Sequence, residues 1–166
     1  MPELILPGGY LCQYDSEDQS LIRQYHWRMH SEGYACTTIN GKMVLMHRLI
    51  MKVLDRPEVE VDHRFHNKLD NRKSMLRICT PAENRRNSRK LKQTAHSKFK
   101  GIYLDENRWH CQIMQEGKVK NLGRSSNEIM AAKLYDQRAL ELFRDFACIN
   151  FLSSREARQL TLFPWV

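Results

Sequence analysis

The sequence predicts an α+β chain: a strand–loop–strand–helix unit, followed by a three-stranded antiparallel sheet packed on one helix. Three observations predict it. Val59 and Val61 alternate with Glu58 and Glu60, a polar stretch runs from His63 to Lys73, and a second β-prone run, Met75–Cys79, leads into a helix-start signal. Further on, three short β-prone runs at 99–104, 108–114 and 118–122 are separated by turn residues at Asn107 and Glu116-Gly117. Between these regions no Asp or Glu interrupts residues 84–104, which carry Arg85, Arg86, Arg89, Lys90, Lys92, Lys98 and Lys100.

Taken in order, residues 10–14 read as a strand, and Ser16 with Gln19 gives a capping box that opens a helix striped by Leu21, Ile22 and Tyr25. Residues 34–39 and 42–47 form a hairpin signal around Asn40-Gly41, the strongest two-residue turn. His47–Ile50 begins a short helix that ends before Pro57. Thr80 is a good N-cap, with Pro81 at the first helical position and Glu83 closing the box. The basic run that follows suits a phosphate-tracking linker, or else a solvated tether, and the domain boundary is placed near 90–97. The domains are therefore 1–92 and 93–152, with a tail at 153–166 that carries no functional reading. In the second domain Ser125 starts a helix with Glu128 at the box position. Ala131, Ala132, Tyr135, Ala139, Leu142 and Phe143 stripe it for packing on the sheet.

A net charge of +8 suits a polyanionic partner: DNA, RNA or an acidic membrane surface. A hydrophobic fraction of 42% is ordinary for a folded chain. No apolar run approaches the roughly 20 residues that span a bilayer. Met1–Gly9 has no basic region followed by an apolar core, so a cytoplasmic protein is expected. The five cysteines, Cys12, Cys36, Cys79, Cys111 and Cys148, are scattered and odd in number. Zinc and disulfide frameworks fit that pattern poorly, and small buried apolar side chains fit it well.

Asp62 and His63 sit where the first strand meets its loop, and Asn84 sits in the first turn of the next helix. Helical side chains lean toward the N-terminus, so Asn84 can point back at the strands. A carboxylate and a carboxamide oxygen can share one hard divalent ion, with water and phosphate completing its shell. A neighbouring imidazole can take a proton from an attacking water. Asp-His pairs are also common, and Asn84 equally fits a capping or solvated role.

The segments MHRLIM, VDH, LDNR and LRICTPAENRRN, spanning about 44–90 in register, resemble HNH nucleases of phage and homing type. The resemblance implies a ββα-metal site with one Mg2+ or Mn2+. His63 maps onto the general base, Asp62 and Asn84 onto the metal ligands, and His47 onto a recurrent upstream histidine. Position 75 holds Met where the family has the central Asn that braces the histidine loop. A thioether accepts hydrogen bonds poorly. Asn67, Asn71 and Ser74 are the candidate substitutes, and His66 is either a substitute ligand or an exposed loop residue.

Ser97–Phe151 resembles the ethylene-response-factor-type (apetala-type) domain. The matching residues are Lys100-Gly101-Ile102, Arg108-Trp109 with Ile113, Leu122-Gly123, Ala131-Ala132 with Tyr135-Asp136, and Asn150-Phe151. The resemblance implies a sheet laid in the DNA major groove. Alternation places Trp109, Cys111 and Ile113 on one face of the middle strand, and Arg108, His110, Gln112 and Met114 on the other. The family contact positions map to Lys100, Tyr103, Arg108, Gln112 and Met114, to which the sequence adds His110 and Lys118. For the third strand the family register turns Lys120 inward, whereas simple polarity turns it outward.

The reading is a metal-dependent DNA endonuclease, a monomer or weak dimer on double-stranded DNA, with no small-molecule cofactor. Its compartment is expected to be the cytoplasm of a bacterial or phage-infected cell. The alternative is a non-catalytic DNA-binding protein, a regulator or decayed nuclease. An RNA-binding protein ranks third, because the aromatic platform for single strands is lacking.

Overall fold

A computed structural model describes residues 2–89 and 97–151. These residues form a mixed α+β chain with several small antiparallel sheets and four α-helices. Lys90 and the tail at 153–166 lie outside the described residues. The chain groups into two compact units, Met1–Asn84 and Arg85–Val166, a division eight residues before the 92/93 boundary expected from composition.

In the first unit β1 (Glu3–Leu6) pairs with β2 (Tyr10–Gln13). A 3₁₀ turn at Ser16–Asp18 runs into α1 (Gln19–Ile22). The Ser16–Gln19 capping box does not form. Asp15 is the N-cap of the turn, and its carboxylate accepts from the backbone N–H of Lys73 at 2.7 Å instead. β3 (Arg28–Met29), β4 (Ala35–Ile39) and β5 (Lys42–Leu45) make a three-stranded sheet. Asn40 at φ 49° and Gly41 at φ 75° give the two left-handed residues that the tight turn requires. The β-prone run stops at Leu45, and α2 (Met46–Ile50) takes over. Leu6, Cys12, Ile22, Met46, Ile50, Val53, Val61 and Leu76 share one core.

Arg48 on α2 fixes the approach to the next strand. Its guanidinium donates to the carbonyls of Val53 at 2.6 Å, Arg56 at 2.9 Å and Val59 at 2.8 Å. That strand, β6 (Glu60–His63), pairs antiparallel with β7 (Leu76–Cys79). β6 starts later than the Val59–Val61 alternation suggested, because Val61 is the residue in the core and the two residues after it still find partners in β7. Met75 falls in a 3₁₀ turn at Lys73–Met75 rather than in the strand. α3 (Pro81–Asn87) follows. Its capping box forms as the sequence predicts: Glu83 N–H donates to Thr80 Oγ1 at 3.2 Å, and Thr80 N–H donates to Glu83 Oε2 at 2.8 Å.

The second unit is a sheet of β8 (Ile102–Asp105), β9 (Arg108–Gln115) and β10 (Lys118–Ser125), in order β10-β9-β8, with α4 (Glu128–Phe143) against it. The N-cap of α4 is Asn127, which accepts from the N–H groups of Ile129 and Met130; Ser125 instead caps Asn127 itself. Ala131, Ala132 and Ala139 let the helix approach Ile102, Cys111 and Ile113 closely. Buried Asp136 accepts from Asn150 N–H at 2.8 Å, Asn150 Nδ2 at 2.9 Å and Phe151 N–H at 3.0 Å, which ties the segment after α4 back to the helix. Burial raises the Asp136 pKa, and these bonds hold it down.

Gly101 is the tightest point of this unit. Its φ is +77°, and a Cβ there would run into the Tyr135 ring and stand 2.6 Å from the Gln112 carbonyl oxygen. Gly101→Ala is therefore expected to destabilise the second unit by about 3 kcal/mol, combining overpacking with a disfavoured backbone. Chemical denaturation followed by tryptophan fluorescence checks this; a loss below about 1 kcal/mol would contradict the packing described.

Candidate active site and nucleic-acid interface

His63 is the last paired residue of β6, opposite Leu76. The ladder closes just beyond it, where Arg64 N–H donates to the Met75 carbonyl at 3.0 Å. The chain then turns sharply, with His66 N–H donating to the His63 carbonyl at 2.9 Å and His66 itself at φ 63°. The rest of the loop is fastened to β2. Gln13 N–H donates to Leu69 O and Asn71 N–H donates to Gln13 O, both at 2.8 Å. Asn67 Oδ1 accepts from Leu69 N–H at 3.2 Å, so Asn67 acts within its own turn. Asp70 is gripped by the Arg72 guanidinium.

Asn71 is fully buried in this arrangement. Its Nδ2 donates to Cys12 Sγ at 3.1 Å, and its Oδ1 stands 3.4 Å from His63 Nε2. Exposed Ser74 has no described bond to the histidine. Of the three candidate braces, Asn71 is the one placed against it.

His63 is 5% exposed. The His47 ring meets it edge-on at 5.0 Å, and Tyr34 lies 5.8 Å from His63 and 5.1 Å from His47. The Lys68 ammonium sits 4.4 Å above the Tyr34 ring, a cation–π contact. Burial lowers the His63 pKa, opposed by Asn71 and by the Asp62 carboxylate. The ring is therefore neutral at neutral pH. Burial, then His63, then Arg48 push His47 down to about 3. His47 Nδ1 has no hydrogen-bond partner among the described residues.

Asp62 faces Arg77 directly across the ladder. Arg77 Nε at 2.8 Å and Nη2 at 2.5 Å both donate to Asp62 Oδ2, and both side chains are buried. Asn84 Nδ2 donates to Glu60 Oε2 at 2.5 Å. Glu60 and Asp62 are two apart on β6 and so share a face. The structure thus draws Asn84 to the strand face that carries Asp62, while alternation turns His63 to the other, among His47, Tyr34 and Asn71. Sequence reasoning missed Glu60 and Arg77. Both were legible as the residue two before Asp62 and as its cross-strand partner, once the register was known.

Oxygen donors from Asp62 and Asn84 suit a hard cation such as Mg2+ or Mn2+. Among the described residues no group of three or more His, Cys, Asp or Glu could hold a metal ion. A cation here would rest on the carboxylate–carboxamide pair and take its remaining ligands from water and phosphate, as Mg2+ commonly does.

The expected nucleic-acid contacts divide. Arg85 and Arg89 are exposed, and half-buried Arg86 lies 5.0 Å over the Phe143 ring. Lys100 is placed otherwise: its ammonium donates to the carbonyls of Arg86 at 2.7 Å and Ser88 at 2.6 Å, satisfying the end of α3. Burial lowers its pKa. Tyr103, Arg108, His110 and Gln112 lie on the sheet face away from α4, and the Tyr103 and His110 rings stack at 5.2 Å. Lys118 pairs with Gln115 and Lys120 with buried Ile113, so both fall on the opposite face, as the family register has it for Lys120.

Arg124, which sequence reasoning did not select, pairs with His110 and joins the outer face. The cause is a bulge between Asn121 and Gly123. One extra residue reverses the parity of the strand beyond it, and no local signal apart from Gly123 announces it.

The described residues define a small α+β protein in which Asp62 and His63 end β6 and Asn84 is bonded to Glu60 on the strand face that carries Asp62. The chain is 33% identical over 135 residues to a protein of Acanthamoeba polyphaga mimivirus described as an uncharacterized HNH endonuclease. The match covers 78% of this chain and 69% of the relative. The chain belongs to the HNH endonuclease family. No protein-family model matches it, and no solved structure does. Among the described residues no helix is long and apolar enough to cross a membrane.

His47 generates a prediction for acid stability. Folded, it titrates at about 3; unfolded, at its ordinary 6.5. Between those values the unfolded chain binds the extra proton, so the stability is fully present above 6.5 and is lost as pH falls toward 3. His47→Phe, which cannot take a proton, should lose less stability than the unmodified protein between about pH 7 and about pH 5. Urea midpoints at the two pH values measure it; parallel losses would show that His47 does not titrate as described.

Proposed function

We propose that this protein is a metal-dependent DNA endonuclease that hydrolyses phosphodiester bonds at the end of β6. The single observation that carries the reading is the arrangement there. A neutral, buried imidazole ends the strand on one side, and a carboxylate with a carboxamide drawn to its face stands on the other. In-line displacement needs that division, because the attacking water and the leaving oxygen lie on opposite sides of phosphorus.

In the proposed tautomer Nε2–H donates to Asn71 Oδ1, which makes Nδ1 the basic nitrogen. Nδ1 removes a proton from the attacking water as the new P–O bond forms, and the bond to the leaving oxygen breaks. Asp62 and Asn84 would hold one Mg2+ or Mn2+, which would supply charge stabilisation at the leaving oxygen. Glu60 keeps Asn84 oriented: by taking Nδ2, it leaves the carboxamide oxygen for the cation. The second unit would supply site preference through its outer sheet face, where exposed Arg108 and Arg124 suit a polyanion.

Purified protein should nick supercoiled plasmid with Mg2+ or Mn2+ and stop with EDTA. His63→Ala and Asn84→Ala should each lower the cutting rate by about a thousandfold while duplex binding persists. Unchanged cutting by both variants would refute the assigned roles.

A second reading, a DNA-binding protein without cleavage, is favoured by Met75 at the family's Asn position. Met75→Asn discriminates. With Asn71 serving as brace, the substitution should change the rate by less than about tenfold. Cutting that appears only in the Met75→Asn protein would establish the second reading.

A further inference from the structure

The outer face of the β8–β10 sheet carries two features side by side that its basic residues do not explain. Met114 and Val119 are direct cross-strand partners next to the Glu116-Gly117 turn. They are 56% and 57% exposed, so an apolar pair stands in water at one end of the face. The next outward pair along the hairpin is Gln112 opposite Asn121, two carboxamides. Asn121 Oδ1 accepts from Gly123 N–H at 2.9 Å, which fixes that carboxamide beside the bulge. Arg124 and Arg108 stand toward the other end.

We propose that this face reads A·T base pairs in the major groove, with Met114 and Val119 against thymine C5-methyl groups and Gln112 on the paired or adjacent adenine. The inference rests on the reading of this sheet as a DNA interface and goes beyond it by naming the bases. The C5-methyl is the one apolar group that the four standard bases present in the major groove. An apolar pair set there would otherwise desolvate polar base edges without partners. A side-chain carboxamide matches the donor and acceptor of adenine N6 and N7 in two simultaneous bonds. The amide pair and the apolar pair are two residues apart on each strand, about 7 Å along β9, which is the reach of roughly two base-pair steps. Charge complementarity sets the occupant: exposed Arg108 and Arg124 continue the same face, in a chain of net charge +8.

The test uses the full-length protein in EDTA, so that binding is read without cutting. Fluorescence anisotropy compares duplexes of equal length: A·T-rich, G·C-rich, the A·T-rich sequence with uracil for thymine, and the G·C-rich sequence with 5-methylcytosine. The expected result is a preference of about tenfold for A·T over G·C. Uracil, which removes only the methyl, should weaken binding about fourfold per methyl contacted. The Met114→Ala, Val119→Ala double variant should bind thymine and uracil duplexes equally.

Equal binding of A·T and G·C, or of thymine and uracil, by the unmodified protein would overturn the inference, and neither comparison depends on a variant folding. A 5-methylcytosine duplex that matched the A·T duplex would overturn the choice of thymine. Arg124→Glu separates the two levels. Affinity lost in that variant with no base preference in the unmodified protein leaves the interface standing and sinks the base assignment. Affinity unchanged in that variant sinks the interface and the base assignment with it.

Discussion

A carboxylate buried at the edge of a two-stranded ladder needs a cation, and Arg77 supplies it from the facing position. This pair fixes more than charge. Sliding β7 by one residue would set Asp62 against an apolar neighbour and leave two buried charges unpaired, a cost of several kcal/mol. The same slip would turn Leu76 out of the core. The register in turn decides that Glu60 lies opposite Cys79, beside the start of α3, where Asn84 reaches it. The strand end, the helix contact and the loop geometry therefore all follow from one ion pair in a short sheet that has few other means of holding its alignment.

The loop between β6 and β7 holds its histidine without a side-chain brace from position 75. Side-chain bracing from position 75 is unavailable to a thioether. The backbone of Met75 still accepts from Arg64, so the strand end closes regardless of side chain. The histidine contact comes from Asn71 instead, held by its backbone to Gln13 and by its amide to Cys12. Cys12 is thus not merely apolar filler. It accepts the Asn71 amide, and its thiol is pushed up to about 11, chiefly by burial, so it stays protonated. The placement of Asn71 against His63 draws on β2, a strand far from it in sequence, and that dependence is invisible in the local motif.

What the sequence revealed and what it hid divide along the same line. Thr80 and Glu83 are three residues apart and make their reciprocal bonds whatever lies around them, so the helix that carries Asn84 was legible. Asn40-Gly41 acts equally locally. Asp15 and Ser125 show the limit. The Ser16 box lost to a loop N–H that arrives from Lys73, and α4 began at Asn127 because that carboxamide reaches two N–H groups. Lys100 looked like a phosphate ligand in a basic run, and only the fold shows its ammonium satisfying two carbonyls at the end of α3. Asp62, His63 and Asn84 stood out as candidates by type and order, whereas Arg77 and Glu60 acquire meaning only from pairing.

On the proposed reading, the ion pair also bears on when a cation can bind. Asp62 already shares much of its charge with Arg77, and Asn84 brings none. A divalent ion held by these two ligands alone would keep most of its charge uncompensated in a partly buried place, which is unfavourable. Phosphate oxygens would provide both the missing charge and the missing coordination. The cation and the DNA backbone would then each strengthen the other's binding, and by linkage the coupling is the same in both directions. Such a site would be poorly charged with metal until a duplex is seated, and any discrimination by the second unit would then be expressed in metal occupancy as well as in residence on DNA.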